Sequence, residues 1–240
     1  MQTERIPDPA HSADKTPADG QLVVLVHGLG PGRLPMWPLT RRLKRAGYRT
    51  LNWRYPCLRH TIEEHGRRLH AALESLSTDP AIERLHLATY SMGSIVARTS
   101  LELGRPSKLG RIVMLAPPNR GSRWASTFGP MLRCCIRTVD QLAARPDSFV
   151  NSLPEPQGLE IGIIAARHDQ LVGAESSQLA AALDRVVLPG LHSFLPIRRD
   201  AARQVQHFLE YGAFDRGEED LSRADDSTAA PVSAAEAKQP

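Results

Sequence analysis

Six short apolar segments alternate with amphipathic ones along this chain, and that alternation restricts its architecture more than any other feature. The apolar segments are Leu22 to Val26, Leu51 to Trp53 with neighbours, Leu85 to Thr89, Ile112 to Ala116, Ile161 to Ala166 and Val186 to Leu188. Most are continuously apolar, as strands covered on both faces of a parallel sheet must be. The second is the weakest, because Asn52 interrupts it. Between them, Met36, Leu39, Leu43 and Ala46 fall at helical spacing, and Ile62, Leu69, Leu73 and Leu76 trace one face of a longer helix. Two more helices are predicted over Ser91 to Leu103 and Ala201 to Tyr211. Strand and helix in alternation mean βαβ units. The expected fold is α/β, a doubly wound, mostly parallel six-stranded sheet with helices on both faces.

One interval breaks the rhythm. Residues 117–158 carry no strand signal but hold Trp124, Phe128, Met131, Leu132 and Phe149 among prolines and polar residues. A connection that long in a compact domain is functional or has helices of its own, so a helical excursion over the active-site edge is expected. The ends differ from the body. Residues 1–20 are polar with no apolar period, and residues 215–240 are acidic, then rich in Ala, Ser and Pro. Neither segment has enough apolar surface to offset the entropy of ordering, so both are expected to be disordered tails on one domain, 21–214.

Charge divides along the same boundary. The segment from Asp215 has seven acidic and three basic residues; the whole chain is +4, which leaves +8 on the rest. The excess is mostly arginine: Arg41, Arg42 and Arg45 beside Lys44, then Arg67 and Arg68, then Arg198, Arg199 and Arg203. Such residues chiefly solvate outer helix faces, although a basic face also attracts anionic lipid or an acidic substrate. Few aromatics are interleaved with them, which argues against nucleic-acid binding. No run of 18 apolar residues and no signal-peptide apolar region is present. The three cysteines, Cys57, Cys134 and Cys135, form no disulfide framework, so a cytoplasmic location is expected.

In an open α/β sheet the ligand crevice lies at the carboxyl ends of the strands. The polar residues expected there are His27-Gly28-Leu29-Gly30 after the first strand, Ser91 after the third, Arg167-His168-Asp169-Gln170 after the fifth, and Gly190-Leu191-His192-Ser193 after the sixth. A serine, an acid and a histidine thus follow three strands in the order of a nucleophile-elbow hydrolase. A serine hydroxyl needs a base to remove its proton and a third group to orient that base. Ser91, His192 and Asp169 are the candidates for those roles. The oxyanion formed on attack needs preorganised donors, here the backbone N–H groups of Leu29 and Met92. His27 reads as structural support for that loop. Taken singly, Ser91 would pass for a helix N-cap, Asp169 for a turn residue and His192 for a surface histidine. Asp184 is expected at the wrong end of the sheet and Asp140 within the excursion. His60, His65 and His70 are spaced by five, which does not stack two side chains on one helix face, so no metal is expected. No phosphate-cradling or dinucleotide glycine loop is present, so no cofactor is expected.

These residues resemble the α/β-hydrolase superfamily, and within it the small bacterial lipase/esterase-like hydrolases. The resemblance covers about residues 21–214. "VVLVHGLG" at 23–30 resembles that family's oxyanion-loop strand, and "MWPLTRRLKRAGYRTLNWRYP" at 36–56 its first helix and following strand. "YSMGSIVAR" at 90–98 resembles the elbow and "RIVMLAPPNRGS" at 111–122 the next strand and loop. "HDQLVGAESSQL" at 168–179 resembles the acid segment and "VVLPGLHSFLP" at 186–196 the histidine segment. The resemblance implies Ser91, Asp169 and His192 as a triad acting on a small-molecule or lipid ester. Acyl transfer, thioester hydrolysis and non-catalytic lipid binding are the alternatives on the same fold. The sequence departs from the family's Gly-x-Ser-x-Gly pattern at Thr89, in place of the first glycine, and at Tyr90, where a histidine is common. Thr89→Gly is therefore expected to leave turnover intact or raise it. The arginines and the apolar excursion together suggest peripheral contact with an anionic membrane.

Overall fold

The computed structural model describes residues 18, 20–132 and 136–217. Most of both expected tails, and the Cys134-Cys135 pair, lie outside the described residues. Six strands form one sheet: β1 (Gln21–Val26), β2 (Arg49–Trp53), β3 (Arg84–Tyr90), β4 (Leu109–Leu115), β5 (Ile161–Ala166) and β6 (Asp184–Leu188). Their order is β2-β1-β3-β4-β5-β6, and every pair is parallel rather than most of them. All six apolar segments are strands. Asn52 is tolerated because β2 is an edge strand, none of whose residues is fully buried.

Alternate residues of each inner strand feed two separate cores, as the two-residue period of a strand requires. On one face Val23, Leu25, Val113, Leu115 and Ile164 pack beneath α1 (Trp37–Arg45) and the C-terminal helix Arg199–Tyr211. On the other, Val24, Leu87, Ile112 and Ile161 pack beneath α2 (Ile62–Ser77) and α3 (Met92–Glu102). Each buried Leu, Ile or Phe stabilises the fold by roughly 1.5–3 kcal/mol. A capping box opens α2: the Thr61 hydroxyl accepts from the Glu64 N–H at 3.3 Å, and the Glu64 carboxylate accepts from the Thr61 N–H at 2.9 Å.

The interval 117–158 contains three helices, α4 (Arg123–Leu132), α5 (Arg137–Gln141) and α6 (Phe149–Ser152), so the C-terminal helix is α7. Gln141 fastens α5 to the start of α2: its Oε1 accepts from the Ile62 N–H at 2.8 Å and its Nε2 donates to Glu63 at 2.6 Å. The body also runs slightly past the expected end at 214. The Asp215 N–H donates to Gln204 Oε1 at 2.9 Å, Gln204 Nε2 donates to the Asp215 carbonyl at 2.6 Å, and Arg216 pairs with Asp184.

Candidate active site

Ser91 follows β3, Asp169 follows β5, His192 follows β6 and Leu29 follows β1, so parallel strands deliver all four to one edge. His192 Nε2 is 3.0 Å from Ser91 Oγ, and His192 Nδ1 is 2.7 Å from Asp169 Oδ2. The other Asp169 oxygen accepts from the N–H groups of Leu171 at 2.9 Å and Val172 at 2.7 Å. The acid is therefore held from its own loop, with its second oxygen directed to the imidazole. Two backbone bonds join the acid and histidine loops: the Arg167 N–H to the Leu188 carbonyl at 2.8 Å, and the His168 N–H to the Gly190 carbonyl at 3.1 Å. Both side chains are nearly inaccessible, Asp169 at 1% and His192 at 7%, so water competes little for either bond.

Ser91 occupies a strained turn. Its φ of 51° and ψ of −126° lie where a side chain costs about 1–3 kcal/mol. Its N–H donates to the Leu115 carbonyl at 2.9 Å, and its carbonyl accepts from the Ser94 N–H at 2.9 Å, so backbone bonds on both sides hold it there. Two glycines make the turn possible. A Cβ at Gly93 would collide with the Val26 carbonyl oxygen and stand 2.5 Å from that of His27, and one at Gly28 would stand 3.0 Å from Ser91 Cβ. Thr89 is fully buried, and its hydroxyl is 2.8 Å from the hydroxyl of Ser94 on α3. The missing glycine is thus matched by a partner in the first turn of the helix.

Beyond the elbow, Tyr90 donates its hydroxyl to the His192 carbonyl at 3.3 Å, and the two rings lie 5.2 Å apart. Burial, then the Asp169 charge, raises the Tyr90 phenol above its usual pKa, so it stays protonated and remains a donor.

The loop carrying Leu29 is braced by aromatic contacts. His27 Nδ1 donates to the Gly28 carbonyl at 2.7 Å, which leaves Nε2 without a proton when burial holds the ring neutral. The His27 ring stacks on Tyr55 with centroids 4.2 Å apart, and the Tyr55 hydroxyl donates to the His27 carbonyl at 2.6 Å. His27 therefore has the supporting place expected of it, but Tyr55, the residue that fixes it, carried no signal in the sequence. Neither the Leu29 nor the Met92 N–H is directed at another protein group among the described residues. Met92 is the first residue of α3, where an N–H has no intrahelical partner.

A cavity of about 320 Å³ opens over Ser91 and His192. Its walls include Leu29, Trp124, Ala125, Val139, Leu142 and Val172, so the excursion supplies much of an apolar lining. Ser122 ties α4 to the acid loop, its hydroxyl donating to the Leu171 carbonyl at 2.6 Å. Arg98 on α3 holds the excursion at both ends. It is 4% exposed and donates to the Asn119 carbonyl and side chain at 3.4 and 3.3 Å, and to the Leu153 and Pro154 carbonyls at 3.3 and 3.0 Å.

The remaining candidates fall elsewhere. Asp184 opens β6 at the opposite edge, and Asp140 pairs with Arg145. The His60 and His65 rings meet edge to face at 5.7 Å despite their spacing, because His60 precedes α2 rather than belonging to it. Among the described residues no group of three or more His, Cys, Asp or Glu side chains is placed to share a metal ion, and no helix is long and apolar enough to cross a membrane.

No protein-family model matches the chain, and a comparison with curated protein sequences finds no match. Solved structures do match. The mature form of a Bacillus licheniformis lipase superposes with a TM-score of 0.64 at 16% identity, over 86% of this chain and 94% of that one. Aspergillus fumigatus lipase B superposes with a TM-score of 0.66 at 16% identity, over 84% of this chain and 56% of the larger protein. A monoacylglycerol lipase of Paleococcus ferrophilus gives 0.59 at 16% identity, over 80% and 94%. With the all-parallel sheet, these similarities show the α/β-hydrolase fold.

Proposed function

We propose that this chain is a serine hydrolase that cleaves carboxylic esters through an acyl-enzyme. The observation that supports it most is the continuous relay from Ser91 Oγ to His192 at 3.0 Å and from His192 to Asp169 at 2.7 Å, opening on an apolar cavity. In this reading His192 Nε2 takes the hydroxyl proton as Ser91 Oγ attacks the ester carbonyl carbon. The tetrahedral oxyanion accepts hydrogen bonds from the Leu29 and Met92 N–H groups. Collapse breaks the bond to the alcohol, which leaves with the proton from His192. Water then attacks the acyl-enzyme, giving its proton to His192, and the acid departs as Ser91 regains its hydrogen. Asp169 keeps Nδ1 protonated so that Nε2 is free to act as base. Donors fixed in advance are worth about 10²–10³ in rate for each one removed.

The apolar lining fits an acyl chain, so the substrate class proposed is a lipid-like or other small ester. Trp124 and Leu171 on the cavity wall, and Phe128 against Trp124, are exposed apolar side chains, which supports peripheral contact with a membrane, and the arginine excess of the body supports an anionic one; sedimentation with neutral and anionic liposomes tests that contact. Ser91→Ala tests the chemistry. It is expected to lower p-nitrophenyl ester turnover by at least about 10³-fold and to abolish labelling by a fluorophosphonate probe. Labelling of the variant at the wild-type level overturns the assignment, and product analysis with added alcohols separates hydrolysis from acyl transfer.

A further inference from the structure

A second cavity, of about 580 Å³, lies on the far side of the oxyanion loop. The loops after β1 and β2 form it, and it shares Gly30 and Pro31 with the cavity over Ser91. Three arginines line it, Arg33, Arg54 and Arg59, and no Asp or Glu does. Some arginines elsewhere are engaged: Arg111, Arg145, Arg198 and Arg216 pair with carboxylates, and Arg42 and Arg98 donate to carbonyls; others, such as Arg45, Arg67 and Arg68, line neither cavity. Among the described residues the Arg33, Arg54 and Arg59 side chains have no such partner. These are not the arginines that stand out in the sequence, whose runs fall on α1, α2 and α7. Three arginines with no carboxylate among them make this a cleft of one sign, which concentrates counter-ions. The guanidinium fork matches the oxygens of a phosphate. Leu34 and Leu58 line the same cavity and are 73% and 43% exposed, so its wall suits a ligand that is partly apolar.

We propose that this cavity holds a phosphate-type oxyanion carried on the alcohol side of the ester that Ser91 cleaves, as in an acyl glycerol phosphate. This proposal rests on the serine hydrolase reading. The apolar cavity would take the acyl chain, the carbonyl would stand at the Leu29 and Met92 N–H groups, and the anionic head would cross Gly30-Pro31 to the arginines.

Binding to full-length Ser91→Ala protein tests the proposal without turnover. The ligands are an acyl glycerol phosphate, the monoacylglycerol with the same acyl chain, and inorganic phosphate. The phosphate-bearing ester is expected to bind at least about tenfold more tightly than the neutral one. Arg54→Gln and Arg59→Gln, both exposed and so tolerable to the fold, are each expected to reduce that advantage by several-fold, and added salt to shrink it. Equal binding of the two esters, or an advantage that survives in the double variant, overturns the proposal. Arginine-dependent binding of inorganic phosphate with no advantage for the lipid phosphate overturns the substrate assignment and leaves a free-anion site. Wild-type turnover of the neutral ester and probe labelling are measured in parallel. Their failure counts against the hydrolase reading alone, because the binding difference is read without catalysis.

Discussion

The Thr89 hydroxyl lies 2.8 Å from that of Ser94, across the turn that presents Ser91, and both side chains are fully buried. Each is therefore the other's means of satisfying a buried hydroxyl, with the Val113 carbonyl a weaker acceptor for Thr89 at 3.4 Å. The glycine pattern bears on turnover; this bond gives Thr89 a separate part in stability. Thr89→Gly removes the bond, leaves Ser94 without its partner and opens a small void, with an expected loss of about 2–4 kcal/mol. Thr89→Ser should keep the bond and most of the stability. A double-mutant cycle with Ser94→Ala, read by chemical denaturation, should show a coupling of about 1 kcal/mol. Additive losses would mean that the two hydroxyls act independently.

Arg98 anchors the excursion at Asn119 and at Leu153-Pro154, so its loss should reach the substrate cavity. Arg98→Met keeps much of the side-chain volume but removes every tether. It is expected to cost about 2–4 kcal/mol, because several carbonyl acceptors lose a charged donor at once. KM for a long-chain ester should rise more than KM for an acetyl ester, because Trp124, Val139 and Leu142 line the acyl cavity from the excursion. Unchanged KM for both esters, with only the melting temperature lowered, would limit Arg98 to a structural role.

His65 and His86 make stability depend on pH. Burial depresses both to about 4, helped for His65 by His60 and for His86 by Arg84. In the unfolded chain both protonate near pH 6.5, so between pH 6.5 and 4 the unfolded state binds more protons than the native one. Stability is accordingly full above pH 6.5 and falls as the pH drops toward 4, by up to roughly 3 kcal/mol for each histidine. Neither ring nitrogen of His65 has a hydrogen-bond partner among the described residues, and the ring packs edge to face on Tyr55 at 4.7 Å. His65→Phe therefore loses no polar contact and should flatten the decline. Melting temperatures of both proteins from pH 7 to pH 4.5 measure this, and parallel curves would refute it.

Much of the fold was legible in the sequence because hydrophobic period is a local signal. Continuous apolar runs such as Ile161–Ala166 mark strands covered on both sides, and the spacing of Leu69 and Leu73 marks a buried helix stripe. The order of Ser91, Asp169 and His192, each just past a strand, was enough to nominate the site. That is a matter of chain order, and parallel strands turn chain order into a shared edge. The sequence could not show what fills the space between segments. Thr89 read as a defect because its partner Ser94 is reached only once α3 turns back over β3. Tyr55 was silent because its stack on His27 joins the ends of two strands 28 residues apart in numbering. Arg98 carried no period or motif, since its partners lie at the two ends of a loop that closes only in three dimensions. Arg33, Arg54 and Arg59 are scattered singly along the chain, while the arginine runs that stand out in it belong to helix surfaces. The sequence by itself determined the strands, their burial and the order of the candidate residues, because those follow from neighbours along the chain. Tertiary structure alone decided which distant groups satisfy one another's hydrogen bonds, and which charges face one cavity, because those depend on distances between segments that only folding sets.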